Sequence, residues 1–533
     1  MNICLLNESF PPVIDGVANV VLNYARILQK MPGTRVLVGT PRYPDTDYTV
    51  YPYPVVAYQS IATGEAASGY RAGNPFDQNA AKQLIDFRPD IIHAHSPASS
   101  VFMARVLRYV TEAPIVYTYH TKYDIDIARA VKSELLQKET IKALVENVSA
   151  CDEVWAVSRG AGENLRSLGY QGKYHVMTNG VDFPKGRVPD KDVRKAVKGF
   201  DLPDGVPMFL FVGRLMNYKG LPMIIDALRM LSDTGRDFRM VFVGNGPDAE
   251  LLQKQALDCD FAVDIRKSGK EASGNEAVTA EEEIEHLNSE TMRKGKIIFA
   301  GSVRERNVLR AWNTRADLFL FPSTFDTNGL VVREAAACGL ASVLIKDSCA
   351  AEGIEDGRNG FIIPEKASAL AALLGELCRH PEKAKEAGEK AMQEIYISWE
   401  SCVKEAHERY AVLLGRKKLG ILPSRKRDAT EYFLRMAGEV TLTSYDAFNT
   451  RREIREGMME NAIELRDSLQ GAWVNALGFK ETVQERRKQM MKTVETFMED
   501  ARSDIEKLRD DALRGFREVR DDVEKEFEDW KKY

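Results

Sequence analysis

The chain of 533 residues is too long for a single hydrophobic core, and it predicts about three structural units. Its formal net charge of −5 is small for this length, so the charge of the whole chain does not indicate binding to nucleic acid. The seven cysteines have no paired or metal-like spacing, as is typical of buried thiols in a reducing cytoplasm. The N-terminus lacks a charged leader and no apolar run approaches about 18 residues, so we expect a cytoplasmic protein without a signal peptide or a membrane span.

Short β-rich runs alternate with helical patterns along two successive blocks, residues 1–185 and 205–395. This alternation predicts parallel sheets built from right-handed βαβ units. We therefore predict an α/β protein of two Rossmann-like domains that face each other across a cleft, with ligands beyond the carboxyl ends of the strands. The predicted units are 1–190, 200–398, a closing helix at 399–415 that packs back towards the first domain, and an all-helical extension at 416–533.

Two hydrophilic stretches interrupt the alternation. Pro184–Lys198 is predicted to be the linker between the domains. Residues 260–294 are predicted to form a surface loop, partly helical, that carries no chemistry.

In the first block, Gly16 ends a loop and opens a helix, which would place backbone amides at the cleft. His120 follows a strand in VYTYHTKYD and would lie at the cleft floor, although a histidine satisfied within a loop would give the same pattern. His93 and His95 share one face of a strand in DIIHAHS. No third ligand or carboxylate accompanies them, so we interpret both as structural, with His95 a possible cleft residue, and predict no metal site.

The second block opens with FVGRLMNYKG, in which Arg214 and Lys219 follow a strand and precede an amphipathic helix. Two cations at a strand end can neutralise a diphosphate leaving group, which is what a nucleotide-sugar donor releases. Taken alone this pattern is weak, because a solvated loop would look the same.

The segment FPSTFDTNGLVVREAAACG, residues 321–339, reads as a strand end, a turn and a helix start. The strand is predicted at Asp317–Pro322, Gly329 supplies backbone freedom, and the helix opens near Leu330. Free amides and the macrodipole make such a helix start an anion site. Asp326 in the loop and Glu334 in the helix could then bind sugar hydroxyls on either side of a phosphate. The alternative is an ordinary loop in which both acidic side chains are solvated.

These motifs occur in an order that resembles one enzyme family. Asp326-x7-Glu334 resembles the Glu-x7-Glu motif of the retaining glycosyltransferases of family 4, and GRL-x3-KG, TNGVD, VGNGP and FAGSV also match it. The resemblance covers residues 1–415 and none of the extension. It implies the GT-B fold and transfer of a hexose from a nucleotide sugar, UDP-glucose favoured, with retention of the anomeric configuration and without a metal or another cofactor.

The resemblance also implies roles for individual residues. The expected catalytic residues are His120, Arg214, Lys219 and Asp326, and the expected donor-binding residues are Gly16, Arg214, Lys219, Asp326, Asn328, Gly329, Leu330 and Glu334. The chain departs from the family pattern at two positions, since the family usually has Glu at Asp326 and Phe at Asn328. Asp is one methylene shorter than Glu, which reduces its reach and puts the sugar identity in question.

The first block most resembles the glycolipid-forming members, such as diacylglycerol α-glucosyltransferases and phosphatidylinositol mannosyltransferases. A membrane lipid such as diacylglycerol is therefore the expected acceptor. One alternative is a soluble or polysaccharide acceptor, or a GDP-mannose donor, with the extension used for oligomerisation. Another is a scaffold that has lost activity, against which the intact Gly16, Arg214, Lys219 and Glu334 argue.

The extension begins with a basic cluster, Arg416–Arg427, and continues as a charged helical pattern. Its apolar positions repeat every eleven residues, which keeps an apolar stripe nearly straight along a helix. Basic residues beside an apolar stripe favour an anionic membrane surface, whereas the mixed charges favour a coiled-coil partner or a homo-oligomer. The expected location is peripheral, at the inner face of the cell membrane, and no nucleic-acid partner is expected.

Overall fold

The computed structural model describes residues 1–13, 15–63, 70–266, 284–287 and 293–422, together with 434, 436–441, 443 and 492. Its contacts divide the chain into two units, Met1–Gly438 and Glu439–Tyr533, and the first unit contains both predicted Rossmann-like domains. The eleven-residue repeat and residues 423–427 of the basic cluster fall outside the described residues. Within the described ranges, no helix is both long enough and apolar enough to cross a membrane.

The first domain is a seven-stranded parallel sheet in the order β3-β2-β1-β6-β7-β8-β9, with a separate β4–β5 hairpin. The strands are β1 (Asn2–Leu6), β2 (Arg35–Pro41), β3 (Val55–Tyr58), β4 (Ser60–Ala62), β5 (Arg71–Gly73), β6 (Ile91–Ala94), β7 (Ile115–Tyr119), β8 (Glu153–Ala156) and β9 (Tyr174–Val176). The helices are α1 (Gly16–Leu28), α2 (Gln78–Asp86), α3 (Ser99–Thr111), α4 (Tyr123–Ala130), α5 (Glu134–Ser149), α6 (Arg159–Ser167) and α7 (Asp190–Ala196).

The second domain is an eight-stranded sheet in the order β13-β12-β14-β11-β10-β15-β16-β17, parallel except for β13. The strands are β10 (Met208–Val212), β11 (Arg239–Val243), β12 (Ala262–Arg266), β13 (Ile284–Leu287), β14 (Lys296–Gly301), β15 (Leu318–Phe321), β16 (Ser342–Ile345) and β17 (Phe361–Ile363). The helices are α8 (Leu221–Asp233), α9 (Ala249–Asp258), α10 (Arg306–Arg315), α11 (Leu330–Ala337), α12 (Ala367–Leu377), α13 (Pro381–Glu394) and α14 (Trp399–Lys418).

The central strands are apolar along their whole length because helices cover both faces of each sheet. Every residue of β6, β7 and β15 is buried, as continuous runs such as Ile115–Tyr119 require. Each domain has its own hydrophobic core. The prediction of an α/β protein with two Rossmann-like domains is therefore confirmed.

The strand order reverses once in each sheet, between β1 and β6 in the first and between β10 and β15 in the second. Loops that leave the carboxyl ends of strands at such a switch point diverge, and the gap between them is the usual ligand site. Gly16 follows β1, Arg214 and Lys219 follow β10, and Asp326 follows β15. The topology thus brings these predicted site residues to the two switch points.

The helix α14 follows the second domain in sequence but packs into the core of the first. Trp399, Tyr410 and Leu413 are buried there against β1 and α1. Arg409 forms two hydrogen bonds with the Glu153 carboxylate, at 2.6 and 2.8 Å. The helix continues to Lys418, so the first residues of the basic cluster belong to it.

The structure corrects the interpretation of the hydrophilic stretch at residues 260–294. Residues 262–266 form β12 and residues 284–287 form β13, where a surface loop with partial helix was expected. Burial of Val263 between the sheet and its helices stabilises β12, and the polar residues around it in sequence gave no sign of this burial. The linker contains α7, whose Val193 is buried against Ala311 of α10.

Candidate active site

The loop between β15 and α11, residues 322–329, is named the donor loop here. Gly329 ends it in the left-handed region, at φ 61°, and a Cβ there would lie 2.9 Å from the Ala350 side chain. Both the left-handed backbone conformation and the close approach of Ala350 therefore require glycine at this position. The Val332 amide of the first turn of α11 donates to the Gly329 carbonyl at 2.9 Å. The amides of Leu330 and Val331 precede it, and amides at such a helix start could bind an anion.

Lys219 and Asp326 form an ion pair at the centre of the site. The Lys219 Nζ lies 2.9 Å from Oδ1 and 3.1 Å from Oδ2 of Asp326. Ser323 donates a further hydrogen bond, of 2.5 Å, to Asp326 Oδ2. Gly220 permits this meeting, because a Cβ on it would lie 2.5 Å from the Pro322 carbonyl oxygen. The loops after β10 and β15 can therefore touch, and the two charged side chains meet.

Arg214 lies in the same loop as Lys219, immediately after Gly213, but its surroundings differ. Its side chain is exposed, and no carboxylate pairs with it among the residues that the structure describes. Burial raises the pKa of Tyr70 in the first domain, and the nearby Arg214 guanidinium opposes that rise. Arg214 is thus an available cation on the side of the cleft that faces the first domain.

Across the cleft, the start of α1 is built around Asp15. Its carboxylate accepts from the Ala18 amide at 2.6 Å and caps the helix, and it also accepts from the Tyr70 hydroxyl at 2.5 Å. Gly16 is exposed, and a Cβ added there would meet no atom within 4 Å. Packing in the fold does not require glycine at this position, whereas a ligand close to the α1 amides would.

Glu334 is held by a cation that the sequence analysis did not single out. Arg306 Nη2 lies 2.5 Å from Glu334 Oε1 and 3.6 Å from the Asp182 carboxylate, and its guanidinium covers the Phe183 ring. Burial raises the pKa of Glu334, and the Arg306 charge partly reverses that rise. The only signal in the sequence was the position of Arg306 just after the FAGSV segment, which does not reveal its partner.

His120 lies at the end of β7, where the first domain meets the donor loop. Its ring is nearly buried, and Nε2 lies 3.0 Å from Nδ1 of His95. Its carbonyl oxygen accepts a hydrogen bond of 2.5 Å from the Thr327 hydroxyl. Burial lowers the pKa of His120 to about 3, so the ring is neutral at physiological pH.

The donor loop makes further hydrogen bonds to the first domain. The Ser158 hydroxyl donates to the Thr327 carbonyl at 2.5 Å, and the Lys122 ammonium donates to the Thr324 carbonyl at 3.0 Å. The Asn328 amide donates to the Val157 carbonyl at 2.6 Å, which turns this side chain towards the first domain. The departure from phenylalanine at Asn328 therefore changes a contact between domains, and the buried Asn328 Oδ1 has no hydrogen-bond partner among the described residues.

His93 lies on β6, just before His95, and has two partners of its own. Its Nδ1 lies 2.6 Å from the Tyr410 hydroxyl and its Nε2 lies 2.7 Å from the Thr118 hydroxyl. Both ring nitrogens are thereby engaged within the core. In the part of the chain that the structure describes, no group of three or more His, Cys, Asp and Glu side chains could hold a metal ion. Independence from metal remains a prediction.

Two family models match the chain. One, described as Glycosyltransferase Family 4, matches residues 14–184, and the other, described as Glycosyl transferases group 1, matches 192–273 and 268–394. The two matches coincide with the two Rossmann-like domains, and they define this chain as a glycosyltransferase. More narrowly, it belongs to glycosyltransferase family 4, with the GT-B fold.

Relatives and solved structures agree with this assignment. The α-monoglucosyldiacylglycerol synthase of Acholeplasma laidlawii is 22% identical over 422 residues, covering 74% of this chain and 97% of that protein. The GDP-mannose-dependent α-mannosyltransferase of Corynebacterium glutamicum is 26% identical over 429 residues, covering 78% and 90%. The crystal structure of HepE from Anabaena in complex with UDP-glucose is similar with a TM-score of 0.54 at 18% identity, covering 78% and 99%. That structural likeness shows the fold.

Proposed function

We propose that this enzyme is a retaining glycosyltransferase that moves a hexose, from UDP-glucose in preference, to a membrane lipid such as diacylglycerol. The observation that carries the proposal is the meeting of Lys219 with Asp326 at the switch point of the second sheet. Arg214 lies in the same loop as Lys219 and pairs with no carboxylate among the residues that the structure describes. Arg214 and Lys219 offer two cations for a diphosphate, and Asp326 offers a carboxylate for a sugar hydroxyl in the loop that leads into α11.

The leaving-group side of the reaction uses the positive charges. When the bond between the sugar C1 and the β-phosphate oxygen breaks, its electron pair passes to that oxygen. Lys219, Arg214 and the first amides of α11 stabilise the charge that grows on the diphosphate. To stabilise this charge, the Lys219 ammonium leaves the Asp326 carboxylate and pairs with the phosphate.

The carboxylates hold the donor on either side of that phosphate. Asp326 keeps the hydrogen bond from Ser323 and accepts from a hydroxyl of the hexose once Lys219 has turned away. Glu334 accepts from the ribose, held in place by Arg306. The shorter Asp326 selects a sugar that approaches the donor loop closely.

The acceptor hydroxyl attacks C1 from the face that the diphosphate leaves, which retains the anomeric configuration. The new bond forms between the acceptor oxygen and C1, and the hydroxyl proton passes to the departing phosphate oxygen. The carboxylate pair that flanks the bond in a glycosidase is not needed. His120 is neutral and borders the donor loop, where it can hydrogen-bond the sugar.

Two observations support a lipid acceptor and a peripheral membrane location. The Acholeplasma relative is named as a synthase of a glucosylated diacylglycerol. In this chain, Leu419 and Ile421 are 75% and 57% exposed, directly after the cations Lys417 and Lys418 at the end of α14. Exposed apolar residues beside cations favour an anionic bilayer surface, where each cation contributes about 1 kcal/mol.

A second candidate is a glycosyltransferase with a GDP-mannose donor or a soluble or polysaccharide acceptor. The name of the Corynebacterium relative, at slightly higher identity, favours the GDP-mannose donor. The two candidates share the site chemistry and differ in the base and the sugar that the cleft accepts.

A donor and acceptor screen on the purified full chain tests the proposal. UDP-sugars and GDP-sugars are each combined with diacylglycerol vesicles or with soluble sugars, and the anomer of any product is determined by NMR. We expect an α-linked glycolipid from UDP-glucose, and none from the Asp326→Asn variant. Transfer only from GDP-mannose, or only to soluble sugars, supports the second candidate, and a product of inverted configuration contradicts both.

A further inference from the structure

Three histidines form a buried row between the first-domain core and the cleft: His93, His95 and His120. The ring centroids of His93 and His95 lie 4.0 Å apart, and those of His95 and His120 lie 5.2 Å apart in a stacked arrangement. His95 has no exposed surface, and its Nδ1 lies 3.0 Å from Nε2 of His120. The mechanism above uses His120 and leaves His95 without a role.

The bond between these two rings holds one proton, because burial keeps both imidazoles neutral. Either His95 Nδ1 donates to His120 Nε2, or the reverse. The other nitrogen of His95, Nε2, is buried without a hydrogen-bond partner. If His120 donated, that nitrogen would be a buried N–H with no acceptor, which is rarer and more costly than an unused lone pair. The proton between the rings therefore belongs to His95.

We propose that His95 is a positioning residue that holds His120 in the tautomer with its proton on Nδ1, so that His120 meets a bound ligand as a hydrogen-bond donor. Its Nε2 is occupied by His95, and Nδ1 is the ring nitrogen that remains for a ligand. The inference rests on the proposed function, because it concerns the same transfer site.

This tautomer decides which groups His120 can bind and which proton it can move. An N–H on Nδ1 recognises an oxygen with a free lone pair, such as a hexose hydroxyl or a phosphate oxygen. Neither nitrogen has a free lone pair, so His120 cannot take the proton of the attacking hydroxyl. The departing phosphate is then the group that receives it, in agreement with a same-face reaction.

Matched variants separate positioning from packing. His95→Asn places an amide N–H where the ring Nδ1 lies and can still donate to His120. His95→Leu has nearly the same size as that asparagine but has no donor. Tyr410→Phe serves as the control, because it removes a hydrogen bond of 2.6 Å from the neighbouring His93 and leaves the His95–His120 bond in place.

The test uses full-length protein labelled with nitrogen-15 histidine, with the His120 signals assigned by their loss in His120→Gln. In the wild type, His95→Asn and Tyr410→Phe, we expect the His120 proton on Nδ1. In His95→Leu we expect it to move to Nε2, with kcat about 10-fold lower and the donor KM within about 2-fold of the wild-type value. His95→Asn should retain most of kcat.

A wild-type His120 that carries its proton on Nε2 overturns the proposal, and this result does not depend on whether the leucine variant folds. A leucine variant with an unchanged tautomer and the kcat of the asparagine variant overturns it as well. If the wild type transfers no sugar under any condition, the proposed function fails, whereas the spectrum still decides the tautomer of His120.

Discussion

The ammonium of Lys219 is shared between the two oxygens of Asp326, at 2.9 and 3.1 Å. A diphosphate would compete with that carboxylate for the same cation. Ser323 supplies Asp326 with a second donor, so the carboxylate keeps one hydrogen bond when Lys219 turns to a phosphate. Both side chains exchange partners during the proposed reaction, and neither lies in a hydrophobic core. Their substitution should therefore affect turnover more than folding.

Lys219→Ala should lower turnover by a factor of about 100 or more, because the ammonium meets charge that grows in the transition state. Donor binding should weaken less than turnover. Steady-state transfer kinetics measure both. Lys383→Ala is the control, since Lys383 is half exposed and pairs with Glu376 at the protein surface. Near-normal turnover in Lys219→Ala would remove Lys219 from the leaving-group site.

Asp326→Asn should abolish transfer and leave nucleotide diphosphate binding intact or somewhat tighter. The reason is that Glu334 still holds the ribose, while Lys219 loses the anion that competes with the phosphate. Calorimetry with the free nucleotide diphosphate measures binding, and a radiolabelled donor measures transfer. If nucleotide binding disappears while transfer persists, the roles of the two carboxylates are assigned wrongly.

At the scale of elements, the ends of β10 and β15 could be placed from the sequence because apolar runs stop there at glycine and proline. The donor loop and the start of α11 at Leu330 followed from the same signals. The partner of Glu334 could not be predicted, since Arg306 is close only in space. Nor could the bond from Asn328 to Val157, because it joins two domains through a loop whose direction no local pattern encodes.

The short strand β12 was missed for a different reason. In β12 apolar and polar residues alternate over only four positions, Val263–Arg266, and the strand runs into a long polar segment. Its stability comes from pairing with β14 and from burial of Val263, which are tertiary effects. A local pattern of that length cannot be distinguished from a loop.

The ends of β6 and β7 place His93, His95 and His120 in the core, where burial lowers the pKa of each. An unfolded histidine binds a proton below about pH 6.5, whereas these three remain neutral in the folded state. The free energy of unfolding should therefore decrease as the pH falls from 6.5 towards the lowered values, by up to about 1.4 kcal/mol per pH unit for each histidine.

Urea unfolding of the wild type and of His120→Asn, between about pH 8 and pH 5, isolates one of these contributions. The stability advantage of the wild type over the variant should shrink below about pH 6.5. Taking the difference cancels the opposing effect of Glu8 and Glu334, whose pKa values are raised by burial. A difference that is constant over the whole range would contradict a neutral, buried His120.

At the scale of the whole molecule, the chain crosses between the domains twice, and the two crossings touch. A Cβ on Gly180 would lie 2.5 Å from the backbone of Ser398 and Trp399. Val181 donates to the Ile397 carbonyl at 3.0 Å beside this contact. From there α14 runs into the first-domain core and ends in Arg416, Lys417 and Lys418, of which Arg416 lies 3.7 Å from Glu153. The folded domain pair therefore needs α14 to its end, and a truncation that tests the extension belongs beyond it.

Two truncations separate the basic cluster from the repeat, a chain ending at Gly438 and a chain ending at Leu422. Both should fold and bind donor nucleotide, because both keep α14. Co-sedimentation with anionic vesicles should fall in each, and transfer to a lipid acceptor should fall with it. The chain ending at Gly438 should keep more salt-sensitive binding than the chain ending at Leu422, since it retains Arg425, Lys426 and Arg427 in addition to Arg416, Lys417 and Lys418. If both chains sediment with vesicles as the full chain does, and only the oligomeric state changes, the extension is an assembly helix rather than a membrane anchor.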